Sequence, residues 1–576
     1  MSYKSKYRDW LLSDYFDEET KEELEAIEDN EKEIEDRFYK NLEFGTGGMR
    51  GKMGAGTNRM NKYIVRKATQ GLANYIINYN KEDKENGVVI AYDSRHKSPE
   101  FAEEIALVLA GNGIKAYVFD ELRPTPELSF AVRELNVAAG VVVTASHNPP
   151  EYNGYKVYGS DGCQLVPEKA RKVIAEINEL DDFSLIKRME KSEAKEKGLF
   201  EILGPDIDEK YQQAIINVLP DVELAKKSGN KLKIVYSPLH GTGNKPVRNI
   251  LSNLGFQEMM VVQRQAEPDP EFSTVSSPNP EDRDAYTLAL ELAESYKPDL
   301  IMATDPDGDR LGALIKGGDS YIALNGNEIG VLMADYLLSR KKEENELPDF
   351  PVIIKTIVST EMIKPIADKY HADVKDVLTG FKYIGDEIKK METTDEEFIL
   401  GFEESFGYLT GTYVRDKDAV NAAALLALMA LYYQENKDMN LLERLGELRE
   451  EHGFFLEDLE SMRLEGKEGQ EEIERIIASL REESPTEIAG HKVVVFKDYL
   501  NKVSKNFDTG KEEEIDLPES NVLQFLLTDG NKITIRPSGT EPKLKFYFAV
   551  KSNSEESAKF RLESLKEEFL DMIDKI

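Results

Sequence analysis

A single cysteine, Cys163, stands among 576 residues. One thiol cannot close an intrachain disulfide, and its isolation suits a reducing compartment. Long apolar runs are missing too: no segment is long and apolar enough to span a bilayer, and residues 1–10 are too polar for a signal peptide. Basic residues are scarce, 74 against 109 acidic ones, for a formal net charge of -35. That balance argues against a nucleic-acid backbone or an anionic membrane as partner. An anionic substrate would need a locally basic pocket. The length exceeds the roughly 250–300 residues at which a single core stops growing, so a multidomain cytoplasmic chain is expected.

The most informative stretch is Gly140-Val141-Val142-Val143-Thr144-Ala145-Ser146-His147-Asn148-Pro149-Pro150. Its β-branched run reads as a buried strand, and the Pro-Pro pair forces a turn after it. Ser146 then stands at a strand end, where loop residues meet ligands; a turn whose hydroxyl merely caps the backbone is the rival reading. Alternation along a strand predicts that His147 faces away from Ser146 and is a poor base for it. Upstream, residues 18–39 read as one solvated amphipathic helix. Phe44-Gly45-Thr46-Gly47-Gly48-Met49-Arg50-Gly51-Lys52-Met53-Gly54 is a near miss to a nucleotide P-loop, with Thr46 in place of the first glycine and Met53 in place of the magnesium-binding Ser/Thr. As a glycine-rich loop carrying Arg50 and Lys52 it can still cradle an anion, or be a flexible turn.

Strands near 88–92, 116–119 and 140–143 alternate with helical runs, the pattern of an α/β layer whose ligands gather beyond the carboxyl ends of strands. Asn153-Gly154-Tyr155-Lys156-Val157-Tyr158 follows, placing a lysine ten residues from the serine. A charged stretch near 185–199 and then Gly204-Pro205 mark a first boundary. A second α/β unit begins at 232–236 and closes with a strand running into Asp305-Pro306-Asp307-Gly308-Asp309-Arg310. Three carboxylates at alternate positions of one short loop repel one another unless a cation sits between them, and hard oxygen ligands suit magnesium or calcium. An EF-hand is excluded, because the loop follows a strand and Lys316 stands where the bidentate Glu belongs. A solvated acidic turn is the plainer alternative.

A third unit holds a strand at 352–358, then Leu378-Thr379-Gly380-Phe381, then a strand running into Gly401-Phe402-Glu403-Glu404-Ser405-Phe406-Gly407. The glutamates and serine could bond sugar hydroxyls or form an ordinary turn. Arg415-Asp416-Lys417-Asp418 opens a helix whose Ala/Leu face, 419–433, reads as core. From about residue 440, acidic helices lead to strands near 493–496, 522–527, 533–535 and 544–550 and a last helix, a small α+β domain. Its turn Arg536-Pro537-Ser538-Gly539-Thr540-Glu541-Pro542-Lys543 groups cations, hydroxyls and a glycine as a phosphate cradle does, or is a plain hairpin turn.

A serine, a cation loop, sugar-directed polar groups and a phosphate cradle together suggest phosphoryl transfer, where catalysis is positioning and charge stabilisation. Acyl transfer lacks its signature, since Thr144 and Asn148 occupy the glycine positions of G-x-S-x-G. With Thr144-Ala145-Ser146-His147-Asn148-Pro149, Asp305-Pro306-Asp307-Gly308-Asp309-Arg310, Gly401-Phe402-Glu403-Glu404-Ser405 and Arg536-Pro537-Ser538-Gly539-Thr540 in this order, the sequence resembles the α-D-phosphohexomutases over nearly its whole length. The Glu-Glu-Ser-Phe-Gly loop is similar to the phosphoglucomutase branch. The glycine-rich entry and the Asn153–Tyr158 segment are similar to its phosphopentomutase-like relatives. Phe402 stands where the phosphoglucomutase loop usually has a second glycine, and Pro537 is more like the glucosamine-phosphate branch.

The resemblance implies an α/β fold of four domains around a central cleft, three similar α/β mixed-sheet domains and a smaller α+β C-terminal one, at 1–205, 206–320, 321–450 and 451–576. It implies that Ser146 carries a phosphate and, with Asp305, Asp307 and Asp309, holds Mg2+. The activity implied is interconversion of glucose 1-phosphate and glucose 6-phosphate, with glucose 1,6-bisphosphate as intermediate and activator; phosphopentomutase or phosphomannomutase activity by the same mechanism is the alternative. Arg50, His147, Lys156 and Lys417 match basic catalytic positions, Lys156 and Lys417 being candidates for proton transfer and phosphate contact. Arg310, Thr379, Gly380, Glu403, Ser405, Arg536, Ser538, Gly539 and Thr540 would bind substrate. Partners would be small-molecule sugar phosphates, with neither nucleic acid nor membrane, in a monomer or homodimer. A sensor that binds without turnover would be marked by loss of Ser146 or of the Asp triplet, and neither is lost.

Overall fold

The β-branched runs form strands in the computed structural model, which describes residues 2–45, 47–79, 84–464, 466–538 and 543–576. The chain forms two compact units, one of residues 1–326 and 381–440, the other of residues 327–380 and 441–576. In the first unit, a six-stranded sheet runs in the order Gly48–Lys52, Tyr152–Gly159, Ala139–Val143, Val88–Tyr92, Ala116–Phe119, Phe200–Leu203. The last four of these strands are mutually parallel, and the first two are antiparallel additions at one edge. Ala139–Val143 is buried along its whole length, as a β-branched strand covered on both faces must be.

The glycine-rich stretch, expected as a loop, is therefore an edge strand. Gly48 pairs with Lys156 and Lys52 with Tyr152, so one edge of this backbone is engaged in a ladder. Gly48 is obligatory there: its φ is 139° and a Cβ would lie 2.0 Å from the Tyr155 carbonyl oxygen.

A second, five-stranded sheet in this unit has the order Ser320–Leu324, Leu311–Gly317, Leu300–Thr304, Ile234–Ser237, Met259–Val261. The unit is completed by the hairpin of Glu397–Glu403 with Gly407–Leu409 and by the helix Ala419–Lys437, buried on every side from Ala419 to Tyr433. In the second unit, Pro351–Thr356 pairs in parallel with Asp373–Val377. An antiparallel sheet containing Phe454–Arg463, Lys543–Ser552, Lys532–Pro537, Leu523–Leu527 and His491–Asp498 packs against the helices Gly466–Glu482 and Glu555–Ile573. Cys163 is buried, and among the described residues no helix is long and apolar enough to cross a membrane.

Three helices precede the first sheet: Tyr3–Leu12, Glu18–Glu25 and Glu31–Phe38. The side chains of Ser2, Asp17 and Asn30 cap them, each accepting from the backbone N–H three residues on. The single helix expected over 18–39 is thus two, because a turn intervenes and Asn30 starts a new one. Their apolar faces meet in a small core of Tyr7, Trp10, Phe16, Leu24, Ile34, Phe38, Ala55 and Tyr63. Trp10 stacks on Phe16 at 4.1 Å and meets Phe38 edge-on at 5.7 Å. Truncating Phe38, which is fully buried, to Ala is expected to cost this region about 3–5 kcal/mol. Urea titration followed by Trp10 fluorescence checks this, through a clearly lowered midpoint.

Candidate active site

The strand Ala139–Val143 ends and the chain turns sharply at Ser146, whose φ of 52° lies in the left-handed region. A non-glycine residue held there costs about 1–3 kcal/mol and persists only where its surroundings impose it. Arg95 imposes it. This buried guanidinium donates to the carbonyls of Ser146, Asn148, Pro149 and Tyr152 and pairs with Asp93 at 3.2 Å. Asp93 accepts from the Thr144 hydroxyl at 2.7 Å, and Thr144 Oγ1 accepts from the Ser146 N–H at 2.8 Å. The turn is thus held from both sides by charge-assisted bonds.

This geometry overturns the expectation for His147. Because Ser146 is off the strand, alternation does not apply, and His147 Nδ1 lies 3.2 Å from Ser146 Oγ. Burial first, then the charges of Arg310 and Arg50, holds the imidazole pKa well below its ordinary value, so the ring is neutral at pH 7.

Ser146 Oγ also donates to Asp305 Oδ2 at 2.8 Å. Asp305, Asp307 and Asp309, between Leu300–Thr304 and Leu311–Gly317, are all buried, and their ligand atoms lie within 4.8 Å of one another. Burial, then the charges of Asp307 and Asp309, pushes the Asp305 pKa well up. Asp307 is driven up by burial too, but Lys156, a hydrogen bond with Asp305 and Lys417 together hold it down. Lys156 Nζ lies 2.7 Å from Asp307 and 3.4 Å from Asp309, and Lys417 Nζ lies 3.0 Å from Asp309. Both lysines would lose their charge to burial, yet the carboxylates raise their pKa values and keep them cationic. Asp307 Oδ1 and Asp309 Oδ1 are buried without a hydrogen-bond partner. Orphaned anionic oxygens in an all-oxygen cluster are what a hard divalent cation satisfies. The residues present fit magnesium.

The loop of residues 403–407 lies on the same unit. Glu403 ends its strand, buried, with Lys417 at 4.0 Å. Gly407 is needed because a Cβ there would lie 2.6 Å from the Lys417 side chain. Phe402 is fully buried and pairs across the hairpin with Tyr408, so the departure at that position goes into the core. Arg310 pairs with Glu281 at 2.5 Å, and Arg50 donates to Asn148 Oδ1 at 2.8 Å. Asp416 accepts from Tyr158 and from the backbone N–H of Lys417.

Ser146, His147, Lys156, Lys417, Asp305, Asp307, Asp309, Arg310 and Glu403 thus form one linked cluster, with Arg50 attached through Asn148 and Ser405 two residues beyond Glu403. Thr379 and Gly380 follow the strand Asp373–Val377 in the second unit, Gly380 with φ 111°. Arg536 lies in the strand Lys532–Pro537, and the Ser538 N–H donates to the Lys543 carbonyl at 2.8 Å. Gly539 and Thr540 lie outside the described residues. Asp93, Arg95, Thr144, Thr125 and Asp416 have roles that only the fold reveals; Thr125 donates to Asp307 at 3.2 Å. The available signal was Asp93-Ser94-Arg95, polar residues closing a strand parallel to the serine strand.

Residues 41–183, 209–318, 325–450 and 463–566 match, in order, phosphoglucomutase/phosphomannomutase alpha/beta/alpha domains I, II and III and the C-terminal domain. The chain belongs to the phosphoglucomutase/phosphomannomutase family. A phosphoglucomutase of Staphylococcus haemolyticus is 40% identical over 90% of this chain and 91% of that protein. One of Staphylococcus aureus is 39% identical over 91% and 92%. The open form of pp63/parafusin, a phosphoglucomutase from Paramecium, shares the fold with TM-score 0.69 at 19% identity, covering 93% of this chain and 95% of that one.

Within this family member, Glu403 supplies a pH dependence. Burial raises its carboxyl from about 4.5 to about 7, partly offset by Lys417. The folded state binds the proton more tightly, so this contribution to stability is full below the unfolded value and is lost as pH rises through 7. Glu403→Gln, which cannot ionise, is expected to gain stability relative to the wild type between pH 5 and 8 in magnesium-free buffer. Urea midpoints of the two proteins across that range would show it; parallel curves would refute the assignment.

Proposed function

We propose that this family member is a phosphoglucomutase, interconverting glucose 1-phosphate and glucose 6-phosphate through a phosphorylated Ser146 and a glucose 1,6-bisphosphate intermediate. The observation that carries this reading is the hydrogen bond from Ser146 Oγ to Asp305, inside a carboxylate cluster flanked by two cationic lysines. The relatives named phosphoglucomutase at 39–40% identity support the choice of glucose. Asp305, Asp307, Asp309 and an oxygen at Ser146 would hold Mg2+, which supplies neutralisation of charge on the phosphoryl oxygens. The remaining work falls to the chain itself. Arg95 and Thr144 fix the backbone of Ser146, which reduces the orientational entropy left to lose on reaction. Lys156 and Lys417, held protonated, stabilise the negative oxygens and can give a proton but not take one. Neutral His147 stands beside Ser146 Oγ as a proton acceptor, together with Asp305, which accepts the hydrogen bond from that oxygen.

Glu403 and Ser405 would bond the sugar hydroxyls, and Arg310 would bridge the metal loop and the substrate. Thr379, Gly380, Arg536, Ser538, Gly539 and Thr540 are assigned to the distal phosphate and sugar, the first two in the third and the rest in the fourth of four domains at 1–205, 206–320, 321–450 and 451–576. A cytoplasmic setting agrees with the buried lone cysteine.

Side-by-side kcat/KM on glucose 1-phosphate, mannose 1-phosphate and ribose 1-phosphate, with magnesium and trace hexose bisphosphate, tests the substrate. A preference for glucose is expected. A preference for mannose or ribose would keep the mechanism and replace the substrate, while no turnover would favour a sensor. Ser146→Ala is expected to abolish turnover, at least about 10³-fold, without changing the circular dichroism spectrum. Near-normal activity in that variant would sink the phosphoserine route.

A further inference from the structure

Outside the carboxylate cluster, the first unit contains a cavity of about 610 Å³ between the N-terminal helices and the first sheet's helical layer. The helices Tyr3–Leu12, Glu18–Glu25 and Glu31–Phe38 all precede residue 41, where the family's domain I match begins. The cavity therefore has one wall that the family domain does not supply. Trp10 and Phe16 form that wall; Met49, Ile64, Ile177 and Phe183 complete an apolar lining.

Two cations break this lining, Lys6 from the first helix and Lys67 from the helix Lys62–Tyr79. Both residues are half-buried, and neither ammonium has a hydrogen-bond or ion-pair partner among the described residues. The acidic residues that also line the cavity, Asp9, Glu43 and Asp181, are solvent-exposed. Burial lowers the pKa of Lys67, Asp181 opposes this and Lys6 adds to it. A lysine on a half-buried apolar wall with no direct hydrogen-bond or ion-pair partner can take an anionic head group through a charge-assisted bond.

We infer that this cavity is a binding site for a small amphipathic anion, an apolar body of about eight to fifteen heavy atoms on Trp10, Phe183 and Ile177 with a carboxylate or phosphate head at Lys67 and Lys6. The volume lies within the roughly 300–1,000 Å³ typical of small-molecule pockets. The site is separate from the sugar-phosphate site and does not depend on its assignment.

Trp10 is the only tryptophan in the chain, so its emission reports on the cavity without a label. The full-length protein is titrated with octanoate and with octyl phosphate, against 1-octanol, which lacks the charge, and acetate, which lacks the apolar body. Saturable change in Trp10 emission with octanoate or octyl phosphate is expected, and the stronger of the two identifies the head group. Lys67→Met is expected to weaken that binding by about tenfold, the loss of about 1.4 kcal/mol, and Lys67→Arg to retain it. The inference is overturned if neither anion gives a saturable change, if 1-octanol binds as well as octanoate, or if Lys67→Met binds as tightly as the wild type. The comparison of charged and uncharged probes on the unmodified protein decides the question even if Lys67→Met does not fold.

Discussion

Three carboxylates buried within 4.8 Å of one another are the constraint around which the first unit is arranged. Left to themselves, such groups repel strongly in a low-dielectric setting, and a fold that holds them must bring compensation from elsewhere. It does so from three directions in sequence. Lys156 arrives on the strand Tyr152–Gly159 of the first sheet, Lys417 from just before the buried helix Ala419–Lys437, and Ser146 from the turn after Ala139–Val143. The two lysines leave Asp307 Oδ1 and Asp309 Oδ1 buried without a hydrogen-bond donor. The compensation is deliberately incomplete, which is the property expected of a cluster meant to bind a further cation rather than to stabilise the fold.

The serine turn shows how strain is maintained. A left-handed Ser146 would relax if its carbonyl were released, yet Arg95 grips that carbonyl together with three others from the same turn. Arg95 is in turn fixed by Asp93, which also receives Thr144. Reactive geometry at one hydroxyl is thus underwritten by a guanidinium that itself is fully enclosed, and it brings a neutral imidazole to the same oxygen.

What the sequence revealed was local. Alternating carboxylates, a β-branched run ending in polar residues and an all-apolar helix each declare their chemistry within a few positions, and the strands near 88–92, 116–119 and 300–304 were readable for that reason. What it concealed depends on partners distant along the chain. The orientation of His147 follows from the φ of Ser146, which is imposed by an arginine 51 residues upstream. The stretch from Gly48 to Lys52 is a strand only because Tyr152–Gly159 lies beside it. The break between residues 25 and 31 needed recognition of Asn30 as a cap, a signal weaker than the charged periodicity surrounding it. The Arg95 anchor sat in view as Asp93-Ser94-Arg95, but nothing local says that its side chain reaches across to a neighbouring turn.

The path of the chain between its two units has a consequence for biosynthesis. Residues 327–380 belong to the second unit, but residues 381–440, which carry Glu403 and Lys417, return to the first. A nascent chain that has emerged only as far as residue 326 therefore holds Ser146 and all three aspartates without Lys417, one of the two lysines that offset their charge. Lys417 is translated only 91 residues later (417 − 326), at about 5–20 residues per second. During those seconds the carboxylate cluster is under-compensated, so an early cation would steady the half-made unit, and cellular magnesium becomes a candidate aid to folding as well as to chemistry.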